Sequence, residues 1–155
     1  MCEHCGCRGV EPIADLMDEH LALLELGGAV RRSLADNDRA AAASALAELE
    51  RQLGSHVRRE EAGVFAALKQ QGDFVDDVLA LEGEHTDFDS ALAGLDVENA
   101  HFDDVVEHLL EELSEHIDKE NLGIFPVAVV TLGATGWDIV SRAHADPALP
   151  TADVA

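Results

Sequence analysis

Apolar residues recur at steps of three and four along four stretches of this chain, the spacing of one face of an α-helix. In the first stretch Ile13, Met17, His20, Leu24, Gly27 and Arg31 share a face, which predicts a helix from about Pro12 to Leu34. Pro12 suits a first helical turn, where an amide has no partner to lose. The second stripe is Leu46, Leu49, Leu53, His56, Glu60, Val64 and Leu68, predicting a helix from about Arg39 to Gln71. Ala35-Asp36-Asn37-Asp38 is the turn before it, and Gly72-Asp73 ends it. Phe74, Val78, Leu81, His85, Phe88, Leu92 and Leu95 predict a third helix from about Phe74 to Leu95. Phe102, Val106, Leu109, Leu113, His116, Glu120 and Ile124 predict a fourth from about Asn99 to Ile124, with Pro126 expected to kink or end it.

Four such helices joined by short polar loops imply an all-α fold, an up-down-up-down four-helix bundle. Thr135 to Ala143 is expected to add a short fifth helix that docks Trp137, with a mobile end from Asp146. The chain thus divides into a cysteine-rich tail (1–10), the bundle (11–127) and a C-terminal extension (128–155).

What interrupts the stripes carries the chemistry. His20, His56, Glu60, His85, His116 and Glu120 all fall where the period asks for an apolar side chain, and each helix contributes at least one. Buried carboxylates are costly unless paired or bound to metal. Six polar groups on four inward faces satisfy one another only by converging, and imidazoles with carboxylates suit iron, with zinc a further option.

The spacing sharpens this reading. His56 and Glu60, like His116 and Glu120, are four residues apart, so each pair stacks on one helix face. The context repeats as well. His56-Val57-Arg58-Arg59-Glu60-Glu61-Ala62-Gly63-Val64-Phe65 parallels His116-Ile117-Asp118-Lys119-Glu120-Asn121-Leu122-Gly123-Ile124-Phe125, and Glu19-His20 parallels Glu84-His85. The chain reads as two helix pairs, each giving His and then His-x-x-x-Glu. Two matching sets are what a dinuclear centre with bridging carboxylates requires.

This order, with Gly-Ile-Phe-Pro after the last pair, resembles the hemerythrin-like (HHE cation-binding) family over about Ile13 to Val127. The resemblance implies a four-helix bundle holding two iron ions as an oxo- or hydroxo-bridged di-iron centre. It implies Glu60 and Glu120 as bridges, and His20, His56, His85 and His116 as terminal ligands. Oxygen-carrying hemerythrins have a further histidine one turn before the position of His85, where this chain has Leu81. Their last carboxylate lies five residues after the final histidine, where this chain has Asn121; Glu120 matches the HHE branch. The resemblance therefore implies an open iron position, with Glu61 and Glu84 as conceivable substitutes.

An open site points to a catalase-like reaction on hydrogen peroxide, with no catalytic residue beyond the metal ligands. The alternative is a protein that binds or senses oxygen or iron without turnover. The partner expected is thus a small molecule, hydrogen peroxide or dioxygen; a protein partner is not specified.

Ten Lys and Arg against 32 Asp and Glu give a formal charge of −22, which disfavours nucleic acid and anionic membrane surfaces. No targeting segment or membrane-length apolar run is visible. All three cysteines lie in the first seven residues, an arrangement unlike a secreted disulfide framework, so a cytoplasmic location is expected. The cluster Cys2-Glu3-His4-Cys5-Gly6-Cys7 reads as a thiol-rich tail without a fixed metal, though it has the donors for one zinc. His108 and Glu112 repeat the four-residue spacing off the stripe and read as surface residues, and His101 and His144 receive no role. Gly27-Gly28 reads as a bend or close helix contact, or as a path to the metals.

Overall fold

The computed structural model describes residues 6–149. A 3-10 turn, Cys7–Gly9, leads into α1 (Glu11–Ala35), with Pro12 in its first turn. The second rod comprises α2 (Arg39–Glu60), a π-helical turn (Glu61–Phe65) and α3 (Ala66–Gln71), with helical φ/ψ throughout the joins. Asp38 caps α2 by accepting from the Ala41 amide, 2.9 Å away. Gly72, at φ 86°, closes α3 in the left-handed conformation that glycine adopts without penalty. The third rod is α4 (Val75–Ala93). The fourth is α5 (Phe102–Lys119), a second π turn (Glu120–Ile124) and α6 (Phe125–Thr131). Last comes α7 (Ala134–Ala145).

The rods close a ring: α1 packs on α2 and α5, and α4 packs on the same two. This is the expected helical bundle with a fifth, C-terminal helix. Two apolar clusters fill it. One holds Ile13, Met17, Phe65, Leu68, Leu81 and Phe125; the other holds Leu23, Val30, Leu49, Phe88, Leu109 and Leu113. The polar misfits of the sequence pattern lie in the layer between them.

Several expectations shift. Pro126 does not end the fourth rod, which runs on to Thr131. It falls in the first turn after the π turn, where the hydrogen-bond register changes and a missing amide is tolerated. Leu24 and Phe74 leave the buried stripe: Leu23 and Val30 take the inward face of α1, and Phe74 lies just outside α4 with φ 58°. Arg31 points out to Glu107, 2.7 Å away. Gly27 is a close helix contact, since a Cβ there would stand 3.3 Å from Leu110 Cδ2 of α5.

Both ends of the bundle are more firmly docked than expected. Cys7 does not belong to a loose tail: it is buried in the first apolar cluster and disulfide-bonded. Cys2 and Cys5 lie outside the described residues, as does the final stretch of the expected mobile end. The fifth helix packs on the Glu61–Phe65 π turn and on α3, with Trp137 half-buried against the same cluster. Gly63 permits that approach, because a Cβ there would meet Ala143 Cβ at 3.3 Å. No helix among the described residues is long and apolar enough to cross a membrane.

Candidate metal centre

All six misfit side chains converge in the middle layer, each at most 5% exposed. Their ring nitrogens and carboxylate oxygens interleave. His20 Nε2 lies 2.9 Å from Glu120 Oε2, and His116 Nε2 lies 2.8 Å from Glu120 Oε1. His85 Nε2 is 3.3 Å from Glu60 Oε2, 3.4 Å from Glu120 Oε1 and 3.0 Å from His116 Nε2. His56 Nε2 is 3.8 Å from Glu60 Oε2. Two groupings follow, each compact enough for one ion: His20, His56, Glu60 and Glu120, and His85, His116 and Glu120. Glu120 belongs to both.

The outward nitrogen of each ring fixes its orientation. His20 Nδ1 is 2.8 Å from Asn121 Oδ1, and His56 Nδ1 is 2.7 Å from Glu19 Oε2. His85 Nδ1 is 2.8 Å from Glu61 Oε1, and His116 Nδ1 is 2.6 Å from Glu84 Oε2. All four partners are acceptors, so each Nδ1 donates and each Nε2 presents its lone pair inward. This is the tautomer a metal ligand needs.

The layer is then lined by acceptors alone. Among the described residues, His20 Nε2, His56 Nε2 and all four oxygens of Glu60 and Glu120 are buried without a hydrogen bond. Buried acceptors facing acceptors are costly unless a cation or protons stand between them. The donor set therefore fits metal ions.

Protons are the competing occupants. Burial opposes charge on His20, His85 and His116, yet the Glu120 carboxylate outweighs it and raises all three, His85 to about 11. Burial would raise Glu120 as well, but His116, His20 and His85 hold it well below the usual carboxylate range. Glu60 goes the other way, raised by burial and by the charge of Glu120.

The internal repeat of the sequence becomes an approximate two-fold arrangement. Both π turns begin at or just after the final carboxylate of a His-x-x-x-Glu pair. Phe65 stacks on His85 with centroids 5.6 Å apart, and Phe125 stacks on His20 at 5.5 Å. The recurring phenylalanine is thus a lid on the histidine of the opposite half. Arg59 Nη2 holds Glu19 at 2.5 Å, as Lys119 holds Glu84. The halves differ in burial: Arg59 is fully enclosed, whereas Lys119 is 54% exposed.

Sequence reasoning found the six converging residues but not the roles of their supports. Glu61 and Glu84 are not substitute ligands for an open position; their carboxylates face Nδ1 atoms, away from the converging Nε2 atoms. Asn121 holds His20. Glu19 and Arg59 were missed; the signal available was an acid and a base each directly preceding a misfit residue. His144, given no role, lies in the last turn of α7. It is mostly buried, its charge disfavoured by burial and by Arg59, which takes its pKa to about 4. His108 and Glu112 form an exposed pair 3.3 Å apart, as expected.

No curated protein and no solved structure matches the chain. The family model described as Hemerythrin HHE cation binding domain matches residues 11–128, from the first turn of α1 into α6 and across every residue of the converging layer. The chain therefore belongs to the hemerythrin HHE cation-binding family.

Proposed function

We propose that this protein is a non-haem di-iron protein that acts on hydrogen peroxide by catalase-like disproportionation. The observation that carries the reading is the acceptor-only layer, with four inward Nε2 atoms around the carboxylates of Glu60 and Glu120, of which Glu120 is common to both groupings. His20, His56, Glu60 and Glu120 would hold one ion, and His85 and His116 with Glu120 the other. Imidazole and carboxylate without thiolate suit iron. When bound, an iron pair supplies Lewis acidity and a two-electron store.

The chain's own residues hold and shield that site. Glu19, Glu61, Glu84 and Asn121 fix the four rings, so each Nε2 stays aimed inward. Phe65, Phe125 and Phe88 press on His85, His20 and His116 and exclude water from those faces. Two imidazoles serve each side, and on the side of His85 Leu81 stands where a further histidine would add a ligand. That leaves room for a small molecule, which favours turnover over stable oxygen carriage. Disproportionation converts two hydrogen peroxide molecules to two waters and one dioxygen, and needs no outside reductant.

Metal content and oxygen evolution test this together. About two irons per chain and sustained oxygen release from added peroxide are expected. Two irons without oxygen release would replace the enzyme with an oxygen- or iron-binding protein. No iron after anaerobic ferrous loading would overturn the di-iron reading itself.

A further inference from the structure

Three carboxylates hold ring nitrogens of the converging layer, and they are not equally held themselves. Glu19 is gripped by Arg59 at 2.5 Å, and Glu84 by Lys119. Among the described residues no lysine or arginine pairs with Glu61, whose carboxylate lies 2.8 Å from His85 Nδ1. Glu61 is also the most exposed of the three, at 38% against 31% for Glu84 and 3% for Glu19. It opens a π-helical turn, a change of register that recurs at functional sites. A carboxylate with one ring partner and ready access to water exchanges that partner for solvent at little cost.

Glu61 stands in a groove of about 270 Å³ between α2 and α4. Gly54 lies on its α2 wall, Thr86 on its α4 wall, and His85 itself lines it. Of the six converging side chains His85 is the most exposed, at 5%. Its Nε2 lies 3.3 Å from Glu60 Oε2 and 3.4 Å from Glu120 Oε1, so one imidazole separates the groove from both inner carboxylates. The other rings are better covered. Phe88 lies edge-on to His116, Phe125 is stacked on His20, and the fully enclosed Arg59 backs Glu19 behind His56. On the groove walls Glu50, Glu61 and Asp89 outnumber Arg58, and a cleft of that sign draws cations inward.

We propose that this groove is the route by which a divalent cation enters and leaves the layer, with Glu61 as its gate. When Glu61 turns to solvent, His85 loses the anchor on its Nδ1 and swings aside, which uncovers the Glu60 and Glu120 oxygens to the groove. When Glu61 returns, the ring is set again with Nε2 inward. The proposal rests on the reading of the layer as a metal centre and not on its peroxide chemistry.

Co²⁺ kinetics are the measurement, read by stopped-flow absorbance as metal-free protein meets Co²⁺ and as loaded protein meets excess EDTA. Gly54→Leu and Thr86→Leu narrow the groove from opposite walls, and neither residue is a ligand or orients one. A Cβ at Gly54 meets only the flexible end of Arg58, at 3.4 Å, and Thr86 is exposed. Each variant should slow uptake and release alike, by about tenfold, and so leave Co²⁺ affinity and metal content unchanged. Glu61→Ala should speed uptake by about tenfold, although it removes a charge that draws cations. It should speed release by more, because His85 loses its support. A residue that only oriented His85 would speed release without speeding uptake. Unchanged rates in both wall variants, or uptake unchanged or slower in Glu61→Ala, would overturn the proposal. Failure of the unsubstituted chain to take up Co²⁺ would overturn the metal reading and the proposal with it.

Discussion

His56 Nδ1 donates to Glu19 Oε2 across the α1–α2 interface at 2.7 Å, although Glu19 is the immediate neighbour of His20 in the chain. The same crossing recurs in the other half, where Glu84, neighbour of His85, holds His116. Each first helix thus supplies one inward imidazole and the carboxylate that orients an imidazole on the next rod. Disturbing one helix should therefore misalign two of the four rings.

Glu19→Gln and Glu84→Gln separate orientation from stability. Each should weaken metal binding by about 10–100-fold, the usual cost of losing a support behind a ligand. Only Glu19→Gln should also destabilise the fold strongly, by about 3 kcal/mol, because it breaks a fully buried ion pair with Arg59. Lys119 and Glu84 are 54% and 31% exposed, so their pair should be worth less than about 1 kcal/mol. Chelator competition and denaturant titration on both variants would read the two quantities.

Metal and protons compete for the same nitrogens, which fixes the sign of the pH response. In the metal-free protein His20, His85 and His116 are raised, so their stabilisation is complete below an unfolded value of about 6.5 and fades as pH rises toward the folded values. The Tm of metal-free protein should therefore fall between about pH 7 and 9. The loaded protein holds these rings deprotonated and should show no such fall, while its metal affinity rises with pH. Thermal melts of both forms across that range check this; parallel trends would count against protonated rings in the empty layer.

Leu81→His should place an imidazole one turn before His85. Leu81 is buried in an apolar cluster, so the metal-free variant should lose about 1–3 kcal/mol of stability. Metal loading should recover part of that loss, and peroxide turnover should fall while bound oxygen persists longer. Oxygen evolution and the optical spectrum of the oxygenated protein are the readouts. Unchanged turnover and unchanged oxygen binding would remove Leu81 from the account of the open position.

Gly63 and Gly123 occupy matching places in the repeat, yet their substitutions should differ. Gly63→Ala places a Cβ 3.3 Å from Ala143 Cβ and 3.7 Å from Val140 Cα, and should cost about 1–3 kcal/mol as α7 is pushed away. Gly123→Ala meets nothing within 4 Å and should be close to neutral or mildly stabilising. Denaturant midpoints for the two variants compare them directly.

The stripes of α2 and α5 were legible because burial and helical period act on the same residues: every position of both stripes, from Leu46 to Leu68 and from Phe102 to Ile124, is buried. His20, His56, Glu60, His85, His116 and Glu120 were legible for the converse reason. A polar group kept at an apolar position has to be satisfied by something the other helices bring, and the internal repeat said that they bring matching sets.

Other features waited on tertiary structure. Whether Leu23 or Leu24 turns inward depends on the neighbour of α1, because both lie near the edge of its stripe. That Glu61 and Glu84 face Nδ1 atoms depends on the rotation of each rod against the next. Gly63 is set by α7, and His144 is buried by the same docking. Cys7 is held in the core by packing that no local pattern records. Sequence alone determined which side chains had to share an interior, since period and burial cost are properties of a single helix. Only the packed bundle decided which nitrogen faces which oxygen, because that is fixed by contacts between helices far apart in the chain.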